Sequence, residues 1–544
     1  MLDYILVAIG IFATVMASLR FIHMLQLESY QNNMYIKWVY GHIPRDWLPT
    51  ILAFFICACF DAAIPFLRHF PGVTTTVLLA AQYAVRIFYI LLMSLIALSW
   101  RRQPAKKPLV YTGRVKRLIA ALILIIIAIN IIPFTIRSYD YSYGISLLRR
   151  LIVYVPALLL PVWVFLANCI TLPIENGIKR GYFNQAKQIL HERSDMVKIA
   201  ITGSYGKTSS KFVLGRILSE KFNVFITPHS YNTPMGITRV VREQLRSDHE
   251  VFVAEMGARY VGDIDELCDL VAPSIGLLSS IGPQHLETFG SQENIKNTKF
   301  ELIANLPADG AAFFNGDNAF CAELAKRPVS VKNRFLYGIY SSEELYMRAV
   351  NVASGVQGST FTLVAGDGVT IECRTRLLGI HNILNITGAA AIAYYMGLSL
   401  QQIAAGIRHL EPVEHRLQLI PGAVTVIDDA FNANPEGAKA ALNVLRGFSG
   451  RRIIVTPGLV ELGKEEDERN RELGQQIACS VDFAILIGEK RSQSILSGIR
   501  ESCFNMENVF VVNSLEQATA VLNNLTQSGD VVLFENDLPD NYTE

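Results

Sequence analysis

Ile201-Thr202-Gly203-Ser204-Tyr205-Gly206-Lys207-Thr208-Ser209 is the stretch on which the reading of this chain turns. The apolar run Met196–Thr202 reads as a buried strand and Thr208–Glu220 as a helix, so a glycine-rich turn joins a strand to a helix start. In that setting glycines let backbone N–H groups converge on phosphate oxygens, and the helix N-terminus adds positive dipole. Lys207 stands where it would neutralise β- and γ-phosphates, and the Thr208 hydroxyl where it would ligate Mg²⁺. The spacing is shorter than G-x-x-x-x-G-K-[ST], because position 201 is Ile; what stands here is G-x-x-G-K-T. Gly203, Ser204, Tyr205, Gly206, Lys207, Thr208 and Ser209 are therefore the expected nucleotide cradle, with ATP and Mg²⁺ as its ligands.

Outward from the loop, strand and helix signals alternate: strands at 224–227, 251–255, 275–279 and 311–315, helices at 237–245, 263–270 and 295–306. That alternation predicts a parallel, doubly wound sheet whose strand ends form a ligand crevice. Glu255 ends one strand, His285 follows the next in Pro283-Gln284-His285-Leu286, and Lys299 lies on the helix after it. A carboxylate and an imidazole there are candidates to share a second Mg²⁺. Short alternating runs between Leu345 and Leu378 suggest an attached antiparallel sheet, closed by helices at 382–395 and 400–410. From about Leu417 a second βα series begins and runs to the end. The expected fold is therefore an α-helical membrane region, an α/β P-loop ATPase domain and an α/β Rossmann-like C-terminal domain. The expected domains are residues 1–175, a connector at 176–195, then 196–414 and 415–544.

The membrane expectation comes from composition. The chain has 544 residues, 51% hydrophobic and 18% charged, against about 25% charged in an ordinary soluble protein. The apolar excess lies in the first 175 residues, in five stretches near Tyr4–Leu19, Trp47–Leu67, Thr75–Trp100, Leu118–Ile136 and Leu151–Ile174. Seven Lys/Arg between Arg101 and Arg117 place that loop inside, so five crossings put the N-terminus outside and everything past Ile174 in the cytoplasm. The expected location is a multi-pass plasma-membrane protein with the bilayer as a partner. Asp61 and Arg86 fall within expected spans; they read as snorkelling or paired anchor charges, with a membrane substrate site as the alternative. Net charge is +1, so no global field favours nucleic acid, and the eight cysteines carry no disulfide or zinc spacing.

Several motifs together resemble the Mur ligases of peptidoglycan synthesis, most closely the MurF branch that adds D-alanyl-D-alanine. They are Gly203–Thr208, Glu255-Met256-Gly257-Ala258, Pro283–Ser291, Gly379-Ile380-His381-Asn382 and Asp428–Pro435, in order over roughly Met196–Asp530. The resemblance implies an ATP-dependent amide ligase: ATP phosphorylates a carboxylate, an amine attacks the acyl phosphate, and phosphate leaves. It implies Thr208, Glu255 and His285 as ligands of two Mg²⁺, and Lys299 as a carbamylated lysine supporting the metal. It further implies Asn232 near the phosphates, Asn382 against adenine, and Arg416 and Asp429 at the γ-phosphate and ribose. Lys207, Lys299, His285 and Arg416 are the expected catalytic residues. The partners would be a muramyl-peptide or other carboxylate acceptor and an amino acid or dipeptide, D-Ala-D-Ala among them.

Departures narrow the expectation. Membrane spans replace the family's N-terminal UDP-sugar domain, Leu459 replaces an aspartate, and Phe431 a tyrosine. Glu535-Asn536-Asp537 stands where that branch carries a basic element. The alternatives are an ATP-dependent membrane transporter or sensor without ligation, and a polyglutamate-type ligase. Lys299 beside Glu255 and His285 argues for ligation.

Overall fold

The computed structural model describes all residues except 1, 102–106, 136–149, 285, 356, 432–433, 461 and 537–544. Two compact units emerge, Met1–Lys179 and Arg180–Leu538.

The first unit is helical. Its main helices are Leu2–Leu27, Leu48–Ala63, Thr75–Arg101, Gly113–Thr135 and the start of Leu160–Glu192. Among the described residues three helical segments, Tyr4–Leu27, Ile43–His69 and Thr75–Arg101, are long and apolar enough to cross a membrane. The pair Ile152–Leu158 and Leu160–Glu192, bent by 82°, makes a fourth if taken as one span. The break replaces the straight helix expected over Leu151–Ile174 and falls where Pro156 and Pro161 flank Leu159. The first helix continues eight residues past its expected end at Leu19, since its polar residues find partners: Arg20 pairs with Asp46 at 3.3 Å and His23 bonds the Lys107 carbonyl at 2.8 Å. Asn32–Gly41, too short to span, is a helix the sequence reading left out. Asp61 is buried within electrostatic reach of Arg150 and Arg86. Residues 102–106 of the expected basic loop and 136–149, nearly all of the expected outer loop, lie outside the described residues.

The second unit holds two sheets. In the first, β1 (Val197–Thr202), β2 (Val224–Ile226), β3 (Val251–Glu255), β4 (Ile275–Leu278), β5 (Ala311–Asn315) and β6 (Asn333–Gly338) are parallel. β7 (Met347–Gly355), β8 (Gly358–Ala365) and β9 (Thr370–Thr375) continue the same sheet, β7 joining β6 in parallel and the rest antiparallel. The order is β2-β3-β1-β4-β5-β6-β7-β8-β9. The antiparallel strands expected as an attachment are thus the far edge of one sheet. β6 was missed because its burial alternates weakly, whereas β3, β4 and β5 are buried at every residue and read as apolar runs. Helices cover both faces: Lys207–Leu218, Ile380–Tyr395 and Leu400–Arg408 bury one, Gln292–Ala304 and Asp263–Val271 the other. Ala186 and Leu190, near the end of the helix Leu160–Glu192, join that second face.

The second sheet comprises β10 (Gln418–Ile420), β11 (Thr425–Asp429), β12 (Arg452–Thr456), β13 (Phe483–Ile487), β14 (Val509–Val512) and β15 (Val531–Glu535), in the order β10-β11-β15-β12-β13-β14. Only β10 is antiparallel. In the first sheet β1 has β3 on one side and β4 on the other, so the path reverses at β1 and its carboxyl end opens the crevice.

Candidate functional site

Short strands and sharp turns bring the expected residues to the carboxyl end of β1. Gly203 and Gly206 have φ of +152° and +80°. A Cβ on Gly203 would lie 2.2 Å from Ser279 Oγ, and one on Gly206 2.6 Å from Asn385 Oδ1, so both positions need glycine. The loop is anchored on the segment after β4. Ser204 N donates to the Ser280 carbonyl (2.6 Å), Ser204 Oγ to Gly282 (2.9 Å), Tyr205 OH to Pro283 (2.8 Å), and Ser279 Oγ to the Tyr205 carbonyl (2.6 Å). Lys207 opens the following helix and folds back, donating from Nζ to the carbonyls of Gly203 (2.8 Å) and Ser204 (3.0 Å). It has no carboxylate ion pair among the described residues. Burial, relieved in part by Glu255, lowers it to about 8.

At the next residue of the same helix, Thr208 Oγ1 donates to Glu255 Oε1 at 3.0 Å and accepts from Arg416 Nη2 at 3.2 Å. Asn232 Nδ2 reaches the same Glu255 oxygen at 3.0 Å. Burial pushes the Glu255 carboxyl up, but Lys211, Lys207 and the bonds from Asn232 and Thr208 outweigh it and hold it below the ordinary value. Arg416 comes from the loop before β10 and lies with its guanidinium 4.5 Å from the centre of the Phe431 ring. The second α/β series thereby lends a cation to the phosphate loop.

Two cavities meet at this line. One, about 340 Å³, is lined by the loop residues, Asn232, Glu255, Arg259, Asp263, Gln284, Arg416 and Asn434. The other, about 650 Å³, continues past Thr208 and Ser209 to Phe212, Asn382 and the 409–416 segment. Asn382 donates to the Leu378 carbonyl at 2.9 Å and is among the residues that line that cavity.

Lys299 is buried on its helix, 5.8 Å from the Phe289 ring centre, with no hydrogen bond among the described residues. Burial, and then the charge of Lys207, drive its amine well below the ordinary lysine value. Asp429 sits further off: its carboxylate accepts from Leu417 N at 3.0 Å and faces Glu535 rather than a cavity. His285 lies outside the described residues. Among those described, no group of three or more His, Cys, Asp or Glu forms a metal cage.

Two site residues escaped the sequence reading. Lys211 stands four residues after Lys207, hence on the same helical face, and pairs with Glu255. Asn385, three residues after Asn382, accepts from Ser210 Oγ at 3.2 Å and fills the space under Gly206. The signal for both was helical spacing from a residue already singled out.

Comparison with known proteins agrees with this architecture. Residues 201–393 match the Mur ligase middle domain and 415–535 the Mur ligase glutamate ligase domain. The UDP-N-acetylmuramoyl-tripeptide–D-alanyl-D-alanine ligase of Mycobacterium tuberculosis is 33% identical over 309 residues, which are 55% of this chain and 59% of the relative. The Escherichia coli enzyme of the same name is 31% identical over 311 residues, 56% of this chain and 67% of that one. The crystal structure of MurF from Acinetobacter baumannii superposes with a TM-score of 0.59 at 26% identity, covering 66% of this chain and 77% of that chain. The chain spans little more than half the length of the mycobacterial relative. With both domain patterns in order on both sheets, and two thirds of the E. coli enzyme covered at this identity, the chain belongs to the Mur ligase family.

Proposed function

We propose that this protein is a membrane-anchored, ATP-dependent amide ligase of the MurF type, working on the cytoplasmic side of the membrane. The observation that carries the reading is the convergence of Lys207, Thr208, Asn232, Glu255 and Arg416, drawn from both α/β sheets, around one polar cavity. The glycine cradle and the helix start at Lys207 suit a triphosphate, since a Cβ at 203 or 206 would fill the space the backbone needs. Thr208 and Glu255 suit Mg²⁺, a hard cation held by oxygen donors. When bound, the metal would offset charge on the transferring phosphoryl group.

The chain's own residues then divide the work. Lys207 and Arg416 lie where negative charge grows as the γ-phosphoryl moves to a substrate carboxylate, which stabilises that transition state. Asn232 and Thr208 orient the Glu255 carboxylate. Lys299, an amine whose basicity burial lowers well below that of an ordinary lysine, suits reaction with CO₂ to a carbamate, which would supply an oxygen ligand. The amine added is an amino acid or dipeptide, with D-alanyl-D-alanine first in line from the names of the relatives. The carboxylate is that of a muramyl peptide, or of a lipid-linked form of it. The apolar helices of the first unit support the membrane anchor by length and composition.

The test is direct. Detergent-solubilised protein is incubated with ATP, Mg²⁺, muramyl-peptide and lipid-linked acceptors, and D-Ala-D-Ala or single amino acids, and products are identified by mass. A ligated product is expected, and Lys207→Ala should lower its formation by about 100-fold or more, the scale for removing one charge-stabilising donor. ATP hydrolysis indifferent to every acceptor and amine would overturn the reading.

A further inference from the structure

Lys211 is the feature of this site that the phosphate loop does not require. Its side chain is fully buried, at 0% exposure, in the middle of the helix Lys207–Leu218. Its Nζ donates to Glu255 Oε2 at 3.2 Å and to the carbonyl of His229. His229 has φ of +44°, a left-handed conformation that a non-glycine residue holds only when its surroundings impose it. The loop it opens carries Asn232. One buried cation thus ties the helix, the end of β3 and the Asn232 loop together.

The two Glu255 oxygens are treated differently. Oε1 receives Thr208 and Asn232, both of which line the 340 Å³ cavity. Oε2 receives Lys211, which lines neither of the two cavities. The carboxylate is therefore held by its rear oxygen, with its front oxygen toward the cavity.

We propose that Lys211 is a specificity-determining residue that makes Glu255 a one-oxygen ligand and so selects Mg²⁺ over Ca²⁺ at this site. Mg²⁺ takes octahedral, single-oxygen contacts, whereas Ca²⁺ accepts both oxygens of a carboxylate in a larger shell. A cation on Oε2 blocks the second mode. The Lys211 charge itself opposes both divalent ions alike and cancels in their ratio. The proposal rests on the metal–nucleotide reading above.

Mn²⁺ binding to the solubilised full chain with ADP is followed by electron paramagnetic resonance and displaced by Mg²⁺ or by Ca²⁺. In Lys211→Met the Ca²⁺/Mg²⁺ affinity ratio should shift toward Ca²⁺ by about tenfold, the scale on which an outer partner tunes a metal site. Lys211→Arg should keep the wild-type ratio within about twofold, far inside that scale. An unchanged ratio in a folded Lys211→Met protein overturns the proposal while leaving the ligase reading intact. Absence of any Mn²⁺ binding by the wild type overturns the metal reading beneath it. Should Lys211→Met not fold, a crystal structure of the wild type with Mn²⁺ and ADP decides. Single-oxygen ligation by Glu255 with Lys211 on Oε2 supports the proposal, and two-oxygen ligation or a displaced Lys211 refutes it.

Discussion

Asp429 and Glu535 end neighbouring parallel strands in register, Glu535 buried and Asp429 half-buried. Neither Glu535 oxygen meets a hydrogen-bond donor among the described residues, so nothing compensates its charged form inside the protein. Burial raises Asp429 from 3.8 to about 6, and burial together with the Asp429 charge raises Glu535 well above 4.5. An acid whose folded pKa exceeds its unfolded one holds its proton better when folded. The pair's contribution to stability is therefore complete below about pH 4 and is lost as pH rises through about 6 and beyond. Glu535→Gln, an amide able to donate to Asp429, should remove that loss. It is expected to stabilise the protein at pH 8 while changing little near pH 4. Thermal unfolding midpoints of both proteins across that range test this; parallel pH profiles would refute it. The sequence placed Asp429 at the nucleotide, whereas the structure turns it toward Glu535. That pairing was invisible beforehand because its partner lies more than a hundred residues away and is joined only by strand register.

At the scale of elements, the phosphate loop is held by its packing as much as by its glycines. Gly206 at φ +80° lies against Asn385 on the helix Ile380–Tyr395. Gly206→Ala combines an unfavourable φ with a clash, about 1–3 kcal/mol of strain. Titration with a fluorescent ADP analogue should show binding weakened by roughly 5- to 150-fold, the same energy expressed as affinity. Wild-type affinity would mean the loop is not the nucleotide cradle. Elsewhere the helix Leu400–Arg408 begins with a complete capping box, Ser399 Oγ accepting from Gln402 N and Gln402 Oε1 from Ser399 N. Ser399→Ala should cost about 1 kcal/mol in stability, read as a lower unfolding midpoint with unchanged nucleotide affinity. The helix span, like the buried strands β1 and β3, is a local pattern and was legible in the residues, whereas its cap was not singled out. β6 and β10 were not, since strands of mixed burial are recognised only by the neighbours they pair with.

At the scale of the whole molecule, the proposal assigns location to the helical unit and chemistry to the unit with the two sheets. If the helices of Met1–Lys179 are an anchor, the full chain should sediment with membranes and resist extraction by carbonate, while residues 180–544 expressed alone should remain in the supernatant. Recovery of the full chain in the supernatant would remove the anchor from the proposal. Composition and periodicity alone determined the helical first unit, the phosphate loop and the alternation that yields the two α/β sheets. These features depend on hydrophobic period and on residues adjacent in the chain. The tertiary structure decided what depends on distant residues meeting. It brought Arg416 to Thr208 across 208 positions, set Lys211 behind Glu255, turned Asp429 onto Glu535 and merged the antiparallel strands into the main sheet. Those outcomes are settled by packing and pairing in three dimensions, which bring together residues far apart in the chain.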